Sequence, residues 1–530
     1  MRKIILLAIN AKYIHSALSV WLLSAGIKKY ARIPHDVEII EATIHHSNEE
    51  IAGLVTAHSP DIVGISTYIW NARKLPDILR LLKVHLPKAV FVLGGPEASH
   101  NVDYWLESGA DFVVQGEGER KLPELLDALA EGKAPPPEPT PSEKPINPYN
   151  ETYISNLKGK LAYLETSRGC PYRCAFCLSG ESDLIFFPIE TVKTHLLKLS
   201  KSGAKTIKLV DRTFNSNPAR AYKLFEYVMA LESDCCFHFE IAADLLDEGT
   251  CKLLSTAQPG RIQLEAGLQS YHEPTLKAVS RKTDLPKAEA NIRNLLQGGN
   301  IHIHVDLIAG LPYETLNHFQ DSFDRAYMLG AHNLQLGFLK LLHGSVLRNQ
   351  AKMLGIQYKE TPPYEIICSP WLSVEDISIL KKTENALGHT YNKSRFLSTL
   401  EYVLSASGLR PFTLFRNLGE SVQNHGMPLE IYAEQVYECF RKMPNVNAIE
   451  LLERMICDWL AMVKGKNMPN FMKIADNRRK QIIQGVEKKL GRPIGREEVA
   501  LLPSGEWVFV DIANRDSVTK LYKLYVVPVM

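Results

Sequence analysis

Cys170, Cys174 and Cys177 stand in the order Cys-Pro-Tyr-Arg-Cys-Ala-Phe-Cys, a C-x3-C-x2-C spacing. A cubane 4Fe–4S cluster takes thiolate ligands from a short, flexible loop. Three thiolates leave one iron open, and an open iron can bind and reduce a substrate, whereas a cluster that only relays electrons usually has four. Three unrelated cysteines, or half of a zinc site, is the plainer alternative. The residues on either side argue against it.

Such a loop does chemistry only where the fold presents it. An apolar run, Leu161 to Leu164, leads into it and reads as a strand. Further strand-like runs follow at 206–211, 236–242, 261–269, 301–309 and 333–340, with helical stretches between them. Six β/α units, the first spanning 161–166, suit an open partial barrel, in which function collects at the carboxyl ends of the strands. Ahead of it, residues 1–131 also alternate, with apolar runs at 3–9, 36–42, 62–68, 89–95 and 112–116. Amphipathic stretches such as Ala17 to Tyr30 and Leu75 to Leu86 lie between them, which predicts a parallel, doubly wound α/β sheet. Its strand-end loops are Asn10 to His15, Gly64 to Tyr68, Leu93 to Glu97 and Gln115 to Glu119. Small residues there let backbone approach a flat macrocycle or a nucleotide tail.

Seven prolines fall within residues 133–148 and predict an extended linker. Beyond about residue 345 the pattern is mainly helical, as in Val374 to Leu387 and Ala448 to Val463, with a small terminal sheet from Glu506–Ile512 and Leu521–Val527. The expected order is therefore a Rossmann-type domain (1–132), a proline-rich linker (133–158), a partial (β/α)6 barrel (159–345) and a mainly α domain (346–530).

Glu165-Thr-Ser-Arg-Gly-Cys-Pro-Tyr-Arg-Cys-Ala-Phe-Cys177 closely resembles the cluster loop of the radical S-adenosylmethionine (SAM) superfamily. The resemblance implies that the open iron chelates the amino and carboxylate groups of SAM. One electron then splits the sulfonium and releases a 5′-deoxyadenosyl radical. It also implies that Phe176 lies beside the adenine. Gly267-Leu-Gln-Ser270, then Arg281, then Asp306-Leu-Ile-Ala-Gly-Leu-Pro-Tyr-Glu-Thr315 resembles oxygen-independent coproporphyrinogen oxidases, whose matching residues contact SAM. Glu240, Gln269, Arg281 and Asp306 are the SAM candidates, with Arg281 as a charge-assisted fork on the carboxylate and an acid as acceptor for the amino group or ribose. A strand-end salt bridge is the alternative for each taken singly. One departure concerns the turn after the second strand. Many relatives have a Gly-Gly-Glu-like sequence there, and this chain has Asp211-Arg-Thr-Phe-Asn215, where Asp211 or Asn215 can accept instead.

The first domain resembles the cobalamin-binding domain that precedes many radical SAM barrels. That likeness implies Ser66 and Thr67 as donors to the nucleotide tail, and Gly94 and Gly95 as positions of close approach. The family's Asp-x-His-x-x-Gly signature is absent. His15 lies in the matching loop without that pattern, and reads as a cobalt ligand or as a surface or hydrogen-bonding histidine. The junction Lys340-Leu-Leu-His-Gly-Ser345 and the region after it resemble an uncharacterised domain that accompanies some cobalamin radical SAM proteins. Such a domain is expected to cap the barrel. Tyr313, His343 and Tyr364 are either pocket-lining or core residues.

The chain thus resembles a cobalamin-binding radical SAM protein of class B type, with a 4Fe–4S cluster, SAM and cobalamin as cofactors. The expected reaction is methylation of an unreactive carbon, in which the cofactors carry the hard chemistry. Ring closure or skeletal rearrangement is the alternative within the family. A cobalamin- or redox-sensing regulator is the non-enzyme alternative, but a sensor does not need the set Gln269, Arg281 and Asp306. A tRNA methylthiotransferase needs a second set of cluster cysteines ahead of the barrel, and residues 1–169 contain no cysteine.

Composition sets the outer bounds. A chain of 530 residues is too long for one core. A net charge of +2 with well-mixed signs gives no broad footprint for nucleic acid. No run of 18 apolar residues is present and Arg2-Lys3 leads directly into a strand, so a soluble, cytoplasmic chain is expected. Cys235, Cys236, Cys251, Cys368, Cys439 and Cys457 form no second motif and read as small apolar residues. The expected partners are a low-potential electron donor such as flavodoxin or ferredoxin and a substrate that the residues do not identify.

Overall fold

Ile4 to Ile9 is an unbroken apolar run, and such a run makes a strand buried on both faces of a parallel sheet. It forms β1 (Arg2–Asn10), with Ile4 to Ile9 at most 1 % exposed. Each such side chain contributes about 1.5–3 kcal/mol on burial. β2 (His35–Thr43), β3 (Ile62–Ser66), β4 (Val90–Gly94) and β5 (Phe112–Val114) complete a parallel sheet in the order β2-β1-β3-β4-β5. The order reverses between β1 and β3, and open α/β sheets take ligands at the carboxyl ends beside such a reversal. The crossover helix Leu75–His85 shows how the sequence sets its element. Leu75, Ile78, Leu79 and Leu82 form one buried stripe, Arg80 and Lys83 face out, and Pro76 sits in the first turn, where its missing N–H costs nothing.

The computed structural model describes residues 2–133, 146–180, 183–422, 426–462 and 467–527. Most of the expected proline-rich linker, 134–145, lies outside the described residues. The chain divides into two compact units. One comprises Met1–Ile241, Val279–Arg281 and Leu339–Ile367, and the other Ala242–Ala278, Lys282–Phe338 and Cys368–Met530.

The first unit holds the five-stranded sheet and also β6 (Leu161–Leu164). β7 (Ser167–Arg168) and β8 (Ile185–Phe186) pair antiparallel and close the loop between them. β9 (Thr206–Leu209) and β10 (Cys236–Ile241) run parallel to β6, with Tyr163 opposite Lys208 and Lys208 opposite His238. The second unit holds β11 (Ile262–Gln269), β12 (His302–Ala309) and β13 (Asn333–Phe338), also parallel. On β11 and β12 every second residue is buried. Ile262, Leu264, Ile303 and Val305 pack inward, which leaves Gln263, Glu265, His302, His304 and Asp306 on one half-exposed polar face.

A short antiparallel pair follows, β14 (Gln357–Tyr358) and β15 (Ile366–Cys368). The rest of the second unit is mainly helical and includes Val374–His389 and Ala448–Met462. It ends in an antiparallel sheet of β16 (Val499–Leu501), β17 (Trp507–Arg515) and β18 (Tyr522–Val526). β7, β8, β14, β15 and β16, each two or three residues long, are too short to show a periodicity in the sequence. Among the described residues no helix is long and apolar enough to cross a membrane.

Candidate cofactor site

The cysteine loop lies between β7 and β8 and is tied down at both ends. Asp211, 2 % exposed, accepts from the Thr166 amide at 3.1 Å, from Thr166 Oγ1 at 2.7 Å and from Ser167 Oγ. Within the loop the Ala175 amide donates to the Val279 carbonyl at 2.9 Å, and the Leu347 amide donates to Ala175 at 2.8 Å. Gly180 folds back so closely that a Cβ there would meet the Tyr172 carbonyl at 2.4 Å. Asp211 therefore anchors the loop through both of its carboxylate oxygens. Asn215 is buried as well.

The three thiols share one neighbourhood. Burial pushes the Cys174 thiol up, Arg281 pulls it down, and the charges of Cys177 and Cys170 push it up further. Arg281 Nη1 lies 3.9 Å from Cys174 Sγ, and its guanidinium sits 5.5 Å from the Tyr172 ring. The Ser179 amide donates to Cys177 Sγ at 3.4 Å, and Cys170 Sγ lies 3.5 Å from Thr213 Oγ1. Phe176 is half-buried in the same loop. Three thiols that repel one another as thiolates, beside a cation, are a donor set that fits an iron cluster.

Glu240 is half-buried on β10, 3.2 Å from Lys208 Nζ and 4.0 Å from Arg212. On the second unit's polar face, Gln269 ends β11 in a left-handed conformation (φ 70°). Its Nε2 lies over Gly267, where a Cβ would come within 2.1 Å and would displace the Gln269 amide. Gln269 Oε1 is buried and has no partner among the described residues. Asp306 lies 3.0 Å from His304 Nε2, whose other ring nitrogen is 4.0 Å from Glu265. Sequence reasoning missed His304. Its signal was the alternation His302-Ile-His304-Val-Asp306, which places these residues on one face.

In the first sheet the ends of β3 and β4 pack on each other. The Thr67 amide donates to Gly94 at 2.7 Å, and a Cβ on Gly95 (φ 106°) would meet the Thr67 carbonyl at 2.6 Å. Ser66 is 5 % exposed and Thr67 fully buried. Thr67 Oγ1 has no hydrogen-bond partner among the described residues, an orphan of the kind a ligand or water satisfies. Tyr68 and Trp70 stack at 4.3 Å beside the β1/β3 reversal, where Trp70 Nε1 donates to the Ile9 carbonyl and its ring is 43 % exposed. A flat exposed ring and small strand-end residues fit a large planar cofactor. His15 Nδ1 meets Tyr163 Oη at 2.5 Å, and the residue bridges to Leu161. His343 and Tyr364 pack on this sheet too. Tyr364 is bonded to the buried Glu97, and His343 lies edge-on to Tyr364 at 4.9 Å. Tyr313 is 45 % exposed and meets Trp371 at 4.6 Å.

Of the six other cysteines, Cys235 and Cys251 are buried and the rest half-buried. None of these six joins a group of metal-ligating side chains among the described residues.

The fold and this loop define an α/β protein in which a three-cysteine loop follows the first strand of a run of parallel β/α units, after a doubly wound sheet in the chain. Comparison with known families gives the class. Residues 4–126 match the B12 binding domain, 164–326 the Radical SAM superfamily, and 352–493 a protein family of unknown function, DUF4080. The chain is a B12-binding radical SAM protein with a DUF4080 region, and cobalamin, a 4Fe–4S cluster and SAM are the cofactors of that domain pair.

Among curated proteins it is 21 % identical to the cobalamin-dependent radical SAM methyltransferase TokK of Streptomyces tokunonensis, over 75 % of this chain and 64 % of that one. It is 25 % identical to the 2-(S-pantetheinyl)-carbapenam-3-carboxylate methyltransferase of Streptantibioticus cattleyicolor, over 59 % of this chain and 51 % of the relative. The chain thus spans less than two thirds of the length of either relative. In fold it is similar to the radical SAM methyltransferase TsrM from Kitasatospora setae with cobalamin and a [4Fe–4S] cluster bound. That likeness has a TM-score of 0.56 at 18 % identity, covering 69 % of this chain and 82 % of the other.

Proposed function

We propose that this protein is a cobalamin-dependent radical SAM methyltransferase acting on an unreactive carbon. The observation that carries the proposal is Arg281 Nη1 at 3.9 Å from Cys174 Sγ, a cation beside the central thiol of the three-cysteine loop. In this reading Cys170, Cys174 and Cys177 hold the cluster. When bound, the cluster supplies the electron that cleaves SAM to a 5′-deoxyadenosyl radical, and cobalamin carries the methyl group.

The protein's own residues position and shield. Arg281 draws the SAM carboxylate to the cluster edge, because a guanidinium offers two parallel donors. Gln269 offers its unpartnered buried Oε1 as an acceptor. Asp306, held by His304, and Glu240, held by Lys208, accept from the amino group and ribose. Phe176 lies against the adenine. Thr67 and Ser66 donate to the cobalamin tail, and Gly94 and Gly95 let backbone approach it. A low-potential donor such as flavodoxin or ferredoxin reduces the cluster, and the protein works in the cytoplasm.

Anaerobic reconstitution with iron and sulfide, followed by SAM, a reductant and hydroxocobalamin, tests this reading. It predicts 5′-deoxyadenosine together with one bound cobalamin per chain, and neither cluster nor deoxyadenosine in Cys174→Ala. An intact cluster that yields no deoxyadenosine would overturn the enzyme reading. Deoxyadenosine without cobalamin uptake would overturn the role of the first domain.

A further inference from the structure

Arg168 stands two residues ahead of Cys170, on β7, and each nitrogen of its guanidinium meets a carboxylate. Nη1 pairs with Glu117 at 3.0 Å. Nη2 pairs with Glu119 at 2.5 Å and with Glu165 at 2.9 Å. Nε donates to both Glu165 oxygens at 3.0 Å. Glu117 ends the loop after β5 and Glu119 lies in the first turn of the helix Gly118–Glu131 that follows, both within the B12-binding match, while Glu165 and Arg168 belong to the radical SAM match. One cation therefore faces three carboxylates drawn from two modules.

Both sides of this bracket are stiff. The Glu119 carbonyl sits so close to Gly26, on the helix Leu18–Tyr30, that a Cβ there would come within 2.2 Å of it. On the other side, Thr166 and Ser167 are held by Asp211, as described above. A displacement of the β5 loop must then move Arg168 or part an ion pair. Part-buried pairs of this kind are only weakly screened by salt. The β5 loop lies at the carboxyl edge where a doubly wound sheet takes its ligand. Arg168 is joined to the first cluster cysteine by Gly169 alone.

We infer that Arg168, Glu117 and Glu119 couple the two cofactor sites, so that cobalamin in the first module and the cluster in the second bind cooperatively. The inference rests on the assignments under Proposed function. Arg168 is a positioning residue. Its nitrogens are committed to carboxylates, and it acts on the cluster only through the loop that it holds. Coupling of this kind is reciprocal: whatever factor the cluster adds to cobalamin affinity, cobalamin adds to cluster affinity.

The test is an absorbance titration with hydroxocobalamin of full-length protein, cluster-loaded and cluster-free, under anaerobic conditions. Wild type should bind cobalamin about fivefold or more tightly when the cluster is present. Glu119→Gln should load its cluster to the same iron content and yet show a ratio near one. Arg168→Lys, which keeps the charge and loses the fork, should fall between. The electron paramagnetic resonance signal of the reduced cluster should shift on cobalamin addition in wild type and stay fixed in Glu119→Gln. A mere structural salt bridge would leave the ratio the same in all three proteins, and that result overturns the inference while cobalamin binding itself stands. Wild type that takes up no cobalamin in either form overturns the first-module assignment and the inference with it. If Glu119→Gln fails to fold, Glu117→Gln, the more exposed arm at 39 %, replaces it in the same comparison.

Discussion

Glu314 shows how far a single buried carboxyl can set the pH response. It is fully buried and accepts from Ser270 Oγ at 2.5 Å and Ser322 Oγ at 3.1 Å. Its other oxygen is buried without a partner among the described residues. Burial outweighs the two hydroxyls and raises its pKa to about 7, from an ordinary 4.5. A carboxyl raised in this way binds more protons folded than unfolded between those values. It therefore withdraws stability as the pH rises through that window. The full span is worth about 3 kcal/mol. Urea unfolding of wild type should weaken from pH 4.5 to 7 more steeply than that of Glu314→Gln. The variant should be the more stable protein at pH 8. Parallel pH profiles would mean that Glu314 is ionised or solvated in the folded chain.

At the scale of elements, the cysteine loop depends on Asp211, which lies two residues past the end of β9 and holds Thr166 and Ser167 ahead of the loop. Asp211→Ala leaves three buried donors unpaired, each costing about 1–3 kcal/mol. The variant should lose iron on reconstitution while Asp211→Asn, which keeps one acceptor, retains part of it. Normal iron content in Asp211→Ala would show that the β7–β8 ribbon alone shapes the loop. The strands themselves were legible because parallel strands are apolar runs between helical periods. β11 and β12 begin within a residue of the expected positions and end at Gln269 and Ala309 as expected. The cysteine spacing was legible for the same reason, since it is local. The partners of polar side chains were not. Asp211 and Glu240 lie among residues far along the chain, and His15 meets Tyr163 across 148 residues. Nothing in a local pattern encodes such a pairing. For the Arg168 bracket the visible signal was Glu117-Gly-Glu119 in the segment after β5, together with an arginine just ahead of the cysteines.

Across the whole chain, distant segments are joined by buried polar contacts, and Glu97 with Tyr364 is the farthest apart of the bonds described above. Tyr364 Oη donates to Glu97, in the short helix Pro96–Ser99 just after β4, across 267 residues. Asn101 meets His343 at 3.4 Å, and Gly344 lies so near the His100 ring that a Cβ would clash at 2.3 Å. The segment Leu339–Ile367 is thus part of the first unit, docked where the first sheet's fourth strand ends. Burial raises the pKa of Glu97, while the Tyr364 hydroxyl and the charge of Arg348 hold it down. Tyr364→Phe removes the hydroxyl and leaves the carboxylate short of a donor, at a cost of about 1–3 kcal/mol. Without that donor the folded-state pKa of Glu97 rises further above its unfolded value. The variant's deficit should therefore be largest at high pH and shrink as the pH falls and Glu97 takes up its proton. Thermal unfolding of wild type and Tyr364→Phe at pH 5.5 and pH 8.5 measures this. A gap in Tm that widens toward pH 8.5 is expected. A gap independent of pH would mean that the ring's packing, and not its bond to Glu97, holds this segment on the first sheet.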